Sequence, residues 1–189
     1  LLSQLRRRKD ESEIGLITTA ADIATAAMSE VAPMLVAGVS EREIRDELEY
    51  RMRRLGADGP SYETIVASGP TNAALPHARP TSRQLVEGDT VVIDVGALVA
   101  GYHSDMTRTF VVGEPSDEQQ RWYDLVFASQ AEGLDAVVEG ARVSDIDRAC
   151  RAVFEDAGLA DLFVHGTGHG VGLDIHEEPF LGSSGDAEL

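Results

Sequence analysis

Thr90-Val91-Val92-Ile93-Asp94-Val95-Gly96-Ala97-Leu98-Val99-Ala100-Gly101-Tyr102-His103-Ser104-Asp105-Met106-Thr107-Arg108-Thr109-Phe110-Val111-Val112 carries the clearest architectural signal in the chain. Both ends are rich in β-branched residues, and the polar lead-in Glu87-Gly88-Asp89 sets off the first, so strands are expected over 90–96 and 104–112. Asp94 lies inside the apolar first strand, where an ionised carboxylate needs a cation, hydrogen bonds or a metal. Asp105 follows in the second. If the hairpin closes around Val99 and Ala100, residues whose numbers sum to 199 face one another, which sets Asp94 opposite Asp105 with Cβ atoms about 5 Å apart. Like charges so placed repel unless a cation lies between them, and a divalent metal would serve. The alternative is that an arginine such as Arg108 pairs with one aspartate while the other is exposed; the hairpin alone leaves both open.

N-terminal to the hairpin, residues 10–34 carry apolar side chains near helical spacing (Ile14, Ile17, Ala21, Ala24, Met28, Val31), which predicts a long amphipathic helix stopped by Gly38. Ser40 with Glu43 forms a capping-box pattern before Ile44, Leu48, Met52 and Leu55, so a second helix should run to Gly56. Residues 62–67 read as a strand, and 68–80 as a loop holding His77. C-terminal to the hairpin, Ser116 with Gln119 opens a helix expected to reach about Val138, its apolar residues including Trp122, Leu125, Val126 and Leu134. Ser144 with Asp147 should open another, with Ile146, Ala149, Cys150 and Val153 inward and Gly158 as its stop. Runs of helices on either side of hairpin-connected strands indicate an α+β fold with an antiparallel sheet.

The last informative segment is His165-Gly166-Thr167-Gly168-His169-Gly170-Val171-Gly172-Leu173-Asp174-Ile175-His176-Glu177-Glu178-Pro179, which holds three of the five histidines. Imidazole is a common ligand for divalent first-row metals, and glycines at alternate positions let backbone and ligand approach closely. A phosphate-cradling loop fits poorly, because no Gly-Lys-Ser/Thr follows and the glycine spacing is not the dinucleotide fingerprint. A serine triad lacks its Gly-x-Ser-x-Gly elbow.

Composition narrows the function further. With 189 residues and 43% hydrophobic content the chain can build one domain with a substantial core. The net charge of -17, from 33 acidic and 16 basic residues, argues against a nucleic-acid partner, whose phosphates need Lys and Arg. Lys9 is the only lysine, a bias consistent with a high-GC genome or a salt-rich cytoplasm. Cys150 is the only cysteine, so no internal disulfide forms, and it reads as a small core residue. The apolar runs 31–39 and 91–95 are too short or interrupted to cross a bilayer, so no membrane association and a cytoplasmic location are expected.

Three ordered motifs, Ser68-Gly69-Pro70-Thr71-Asn72-Ala73-Ala74-Leu75-Pro76-His77, Asp94 through Phe110, and His165 through Glu177, make the chain resemble the pita-bread metallopeptidases, and among them the Xaa-Pro branch of aminopeptidase P and prolidase. The resemblance covers nearly the whole chain and implies a curved antiparallel sheet flanked by helices. It implies that Asp94 ligates one metal ion, Asp105 bridges two, and His169 binds the second, with Mn²⁺ the expected ion and Co²⁺ or Zn²⁺ the alternatives. A hydroxide activated by the two ions would attack the carbonyl of the bond before proline. His77 and His176 match positions that hydrogen-bond substrate and tetrahedral intermediate, and His165 matches one lining the proline pocket. The implied substrate is a peptide with proline after its first residue. Homodimers are common in this family, although the sequence shows no interface signal. The resemblance is also shared by hydrolases of small amide or amidine compounds, and by non-catalytic binding modules that generally lose the ligands.

The family completes its metal site with two glutamates on later strands, and its Xaa-Pro members carry an N-terminal domain. Residues 1–189 are therefore expected to form a C-terminally incomplete catalytic domain, with weak metal binding and little activity when isolated. Glu177, Glu178 and Glu188 do not stand in the expected glutamate context.

Overall fold

The structure is a computed structural model that describes residues 2–75 and 77–189. In chain order its elements are α1 (Leu2–Arg7), α2 (Glu11–Val31), α3 (Glu41–Arg54), β1 (Gly59–Pro60), β2 (Ile65–Ser68), α4 (Gly69–Asn72), β3 (Thr90–Val95), β4 (Ala97–Val99), β5 (Tyr102–His103) and β6 (Met106–Val111). They continue with α5 (Asp117–Ala136), α6 (Val143–Asp156), β7 (Gly168–Gly170) and β8 (Glu177–Leu181). The fold is α+β with antiparallel pairing throughout, as the alternation of patterns implies. These elements group into two compact units, one of residues 8–116 with 171–175, the other of residues up to Arg7 with 117–170 and 176–189.

The larger unit is built on two three-stranded sheets, ordered β2-β3-β6 and β1-β4-β5, against which α2 and α3 pack. Both helices begin as local chemistry dictates. Asp10 and Ser40 each cap the amide three residues on and receive a glutamate, Glu13 or Glu43, on their own backbone, completing two capping boxes. Ala20, Ile23, Ala24, Ala27, Met28 and Val31 of α2, with Ile44, Leu48 and Met52 of α3, close over Val66, Val91, Ile93 and Val95. With its 3-10 extension, α2 is long and apolar enough to cross a bilayer by length and composition alone, which corrects the expectation drawn from the shorter runs. Its buried stripe lies in the core of this unit, the arrangement of a core helix.

The hairpin closes further along than expected. Ala100 and Gly101 both have positive φ, 49° and 87°, and form the two-residue loop of a type I′ turn, whose twist matches that of the strands it joins. Asp58 Oδ2 accepts from the Ala100 amide at 2.7 Å and helps hold this alanine in the left-handed region. Val99 therefore faces Tyr102, and Asp94 faces Thr107 rather than Asp105. The shift is two residues, so it preserves the face on which each side chain stands, and Asp105 lies diagonally across from Asp94.

Between β3 and β4 the chain passes from one sheet to the other at Gly96. A Cβ there would stand 1.8 Å from the Ser104 carbonyl oxygen, a distance no side chain tolerates. Ser61 Oγ is within 2.8 Å of both the Ala97 and Ser104 carbonyls, and Ser104 Oγ accepts from the Ala97 amide at 3.0 Å, which stitches the bend on either side of Asp105.

The smaller unit packs α5 on α6 and carries the β7–β8 ladder. The buried residues of α5 are Ser129 and Gly133, while Trp122, Val126 and Leu134 are exposed, so small residues rather than the large apolar ones face α6. A Cβ on Gly133 would meet Cys150 Sγ at 2.4 Å, and Ser129 Oγ donates to the Cys150 carbonyl at 2.8 Å. Cys150 is thus the buried core residue its neighbours implied. Helix α6 starts at Val143 with Arg142 in the cap position, two residues before the expected cap Ser144, and the Asp147 side chain accepts from Arg151 and Thr167 rather than closing a capping box.

Candidate functional site

Asp94 enters near the end of β3, on the face opposite the core residues Ile93 and Val95, and Asp105 leads into β6. Their carboxylates converge on one hydroxyl. Tyr62 Oη lies 2.6 Å from Asp94 Oδ1 and 2.9 Å from Asp105 Oδ1, and Thr107 Oγ1 donates to Asp94 Oδ1 at 3.0 Å. The Tyr62 phenol is pushed well above its ordinary value, first by burial and then by its bond to Asp94 and the charges of both aspartates, so it stays a neutral donor. A hydroxyl has one proton and cannot donate to both oxygens at once. Two acidic oxygens gathered around a single neutral donor form a hard oxygen cradle suited to a divalent cation. Arg108, the alternative partner, donates Nη1 to the Thr107 carbonyl at 2.8 Å.

Sequence reading missed Tyr62. Its role depends on how β2 registers against β3, with Ile65 opposite Asp94, and the order of residues does not disclose that register. A tyrosine three residues before the first paired position is the only available hint.

His77 is exposed, at φ 55°, on the loop that follows α4. His169 lies on β7 opposite Phe180, half-buried, with a register shift immediately after it. Its Nδ1 is 3.0 Å from the Gly170 carbonyl oxygen; a neutral ring donating there carries its lone pair on Nε2, the tautomer that metal-ligating histidines use. His176 stands beside it, the ring centroids 4.4 Å apart and the planes inclined at 64°. His165 is exposed, its Nδ1 2.7 Å from the Gly166 carbonyl and its ring 5.1 Å from that of Phe163.

The segment that carries His165 and His169 is tied to α6. Asp147, 1% exposed, accepts from Arg151 Nε at 2.7 Å and from Thr167 Oγ1 at 2.6 Å. Arg151 then donates Nη1 to the Phe163 carbonyl and Nη2 to the His165 carbonyl, each at 2.6 Å, and lies 4.3 Å from the Phe163 ring centroid. Burial would raise the Asp147 carboxyl, but the bonds from Arg151 and Thr167 outweigh it and hold the group below its ordinary value. Beyond the histidines, Glu177 is ion-paired with Arg6.

The structure thus brings Asp94 and Asp105 together, and His169 and His176 together. Among the described residues no group of three or more His, Cys, Asp or Glu side chains is gathered as a ready metal cage.

The model of metallopeptidase family M24 matches residues 15–189. The Xaa-Pro dipeptidase of Pyrococcus furiosus is 39% identical over 179 residues, which cover 95% of this chain and 51% of that protein. The solved prolidase of Pyrococcus furiosus superposes with a TM-score of 0.96 at 38% identity, covering 100% of this chain and 56% of that one. The X-Pro aminopeptidase of Thermotoga maritima also gives a TM-score of 0.96 at 38% identity, over 100% of this chain and 53% of that one. The fold is accordingly the pita-bread fold expected from the three motifs. The chain spans about half the length of the curated relatives it matches.

Proposed function

The chain belongs to metallopeptidase family M24, and from that premise we propose that it is the ligand-bearing part of a metal-dependent Xaa-Pro peptidase. In this reading residues 1–189 belong to a catalytic domain, Asp94 and Asp105 supply carboxylates to a pair of divalent ions, Mn²⁺ first among them, and His169 supplies an imidazole. Such ions, when bound, polarise a scissile carbonyl and lower the pKa of water near them. The side chains of this chain have the remaining tasks. Tyr62 would orient the two carboxylates through its hydroxyl, which lies 2.6 Å from Asp94 Oδ1 and 2.9 Å from Asp105 Oδ1. His77 and His176, both exposed, are the proposed hydrogen-bond donors to a bound peptide, and His165 the proposed wall of its proline pocket. The free Cys150 thiol is compatible with a reducing cytoplasmic compartment.

The observation that carries this reading is the convergence of Asp94 and Asp105 on one neutral hydroxyl. The test is titration of the full-length protein that contains residues 1–189 with Mn²⁺, Co²⁺ and Zn²⁺ by calorimetry, with an assay of Xaa-Pro dipeptides and longer Xaa-Pro peptides. Asp105→Asn should lower metal affinity at least tenfold, the scale on which altered ligand chemistry is felt at metal sites. Unchanged metal content in Asp105→Asn would sink the proposal, and cleavage of small amides in preference to Xaa-Pro peptides would move it to another substrate.

A further inference from the structure

Four carboxylates are buried among the described residues, and three sit on arginines: Asp89 on Arg83, Asp147 on Arg151, Glu177 on Arg6. Glu41, with no exposed surface, is held instead by hydrogen bonds from uncharged groups. Its Oε1 accepts from the Ser68 amide at 2.8 Å, Ser68 Oγ at 2.7 Å and Asn72 Nδ2 at 3.2 Å. Its Oε2 accepts from the Thr81 amide at 2.9 Å and Thr81 Oγ1 at 2.7 Å. Burial would raise this carboxyl, yet the bonds from Thr81, Ser68 and Asn72 outweigh it and leave the group below its ordinary value, ionised at neutral pH.

The three residues gripped lie on the two stems of one loop. Ser68 ends β2, Asn72 ends α4, and Thr81 lies where the chain returns; between them is His77, in the left-handed region that a β-carbon disfavours. Glu41 is itself fixed as the first residue of α3, inside the Ser40–Glu43 capping box. A second brace follows, since Arg83 Nη1 donates to Ser68 Oγ at 2.7 Å and the Arg83 guanidinium is paired with Asp89. The donors bonded to Glu41 are all neutral, and the nearby charge of Arg83 acts on it only through space. Burying an ionised carboxylate in this way is an expensive way to gain stability, because apolar side chains would join the two stems at lower desolvation cost. What a carboxylate adds is geometry: two oxygens on a rigid plane fix two backbone segments relative to one helix terminus.

We propose that Glu41 is a positioning residue that clamps both stems of the loop presenting His77 and thereby sets where that imidazole meets the peptide. The assignment of His77 rests on the proposed function; the clamp does not. Hydrogen exchange tests the clamp directly. In Glu41→Gln, amides of residues 69–82 should exchange about tenfold faster or more, as expected when buried bonds to a charged acceptor are lost, while residues 90–111 keep their protection. Unchanged exchange over 69–82, or equal acceleration across the unit, overturns the proposal. If Glu41→Gln does not fold, Thr81→Val removes one side-chain donor and should loosen the same segment to a smaller degree.

The catalytic arm uses the metal-loaded full-length protein that contains residues 1–189, and a double-mutant cycle. Glu41→Gln should lower kcat/KM in the wild-type background and have almost no further effect in His77→Ala, because it acts through that histidine. Equal losses in both backgrounds overturn the positioning role. A fully active His77→Ala instead sinks the reading of His77, and exchange alone then decides whether Glu41 clamps the loop.

Discussion

Asp94 lies in a long ladder and Asp105 at its edge, whereas His165 lies on a loop that polar side chains hold and His169 on a short ladder that begins just after that loop. On the aspartate side, six consecutive pairs from Thr90–Val111 to Val95–Met106 fix direction and spacing, and the core beneath fixes which face is up. On the histidine side the ladder has only three pairs and is interrupted just after His169. Order there depends on Asp147 and Arg151, which lie in α6 and hold the carbonyls of Phe163 and His165 and the hydroxyl of Thr167. Backbone pairing needs no particular side chain, while a side-chain clamp fails with a single substitution. The aspartate side should therefore tolerate most polar changes and the histidine side should not, while added backbone bulk is resisted on both, at Gly96 by the Ser104 carbonyl and at Gly170 by that of Glu178.

The largest effect should come from Gly96→Ala. The added carbon overlaps the backbone oxygen of Ser104, which cannot rotate away as a flexible side chain could, so the bend itself must open. We expect a loss of about 3 kcal/mol or more, beyond the ordinary range for overpacking, read as a fall in the denaturation midpoint. Exchange should accelerate over residues 90–111 and stay unchanged over 161–170. Matching protection loss in both segments would mean that the two sides are not separately built.

Asp147→Ala is the converse and comes next in size. It strands Arg151 and Thr167 from their shared acceptor, and removing one partner of a buried pair costs about 3 kcal/mol. Exchange should rise over 161–170 and leave 90–111 protected. Arg151→Lys is a milder version, since an ammonium cannot reach Asp147 and two carbonyls together as the guanidinium does.

How far each side can be read from sequence follows the same division. The strands and the capping box at Ser40 and Glu43 depend on local spacing and are present, whereas of the stripe expected on α2 only Ala24, Met28 and Val31 are buried: Ile14 and Ala21 face solvent, and Ala20, Ile23 and Ala27 take the inner face with them. The hairpin register fell two residues short because nothing in Ala100 announces that it will adopt positive φ; the alternation of side chains still put both aspartates on one face. Asp147 looked like the third residue of a capping motif, since its real partners, Arg151 and Thr167, include one twenty residues away. Tyr62 and Glu41 were illegible for the same reason, each acting across loops whose closure no local pattern encodes.

Acid should strain both sides, the aspartate unit more. Glu41 and Asp89 in that unit, and Asp147 in the other, are all held below their ordinary values of 4.5 for Glu and 3.8 for Asp. A carboxyl depressed in the folded state contributes stability that is complete above its unfolded value and is lost as pH falls through the folded one. Stability should be flat at neutral pH and decline progressively below about 4.5, as the unfolded chain takes up protons that the native clamps exclude. Glu41→Gln should flatten the decline for residues 8–116 and leave it unchanged for the α5–α6 unit; exchange measured at pH 6 and again at pH 4 separates the two.

The smallest effect is expected from Tyr62→Phe, and it bears most directly on the comparison. Removing the hydroxyl leaves the ladder untouched, so Asp94 and Asp105 keep their places and lose only a shared donor. Loss of such a bond costs about 1.5–3 kcal/mol when the acceptor is charged, less here because Asp105 is exposed and water can replace the phenol. With Mn²⁺ present the loss should shrink, since an ion neutralises the repulsion that the phenol otherwise moderates. Thermal melting of wild type and Tyr62→Phe, with and without Mn²⁺, gives the four values required. A deficit that persists unchanged in saturating Mn²⁺ would show that Tyr62 supports the sheet rather than the carboxylate pair, and the aspartate side would then depend on a side-chain clamp as the histidine side does.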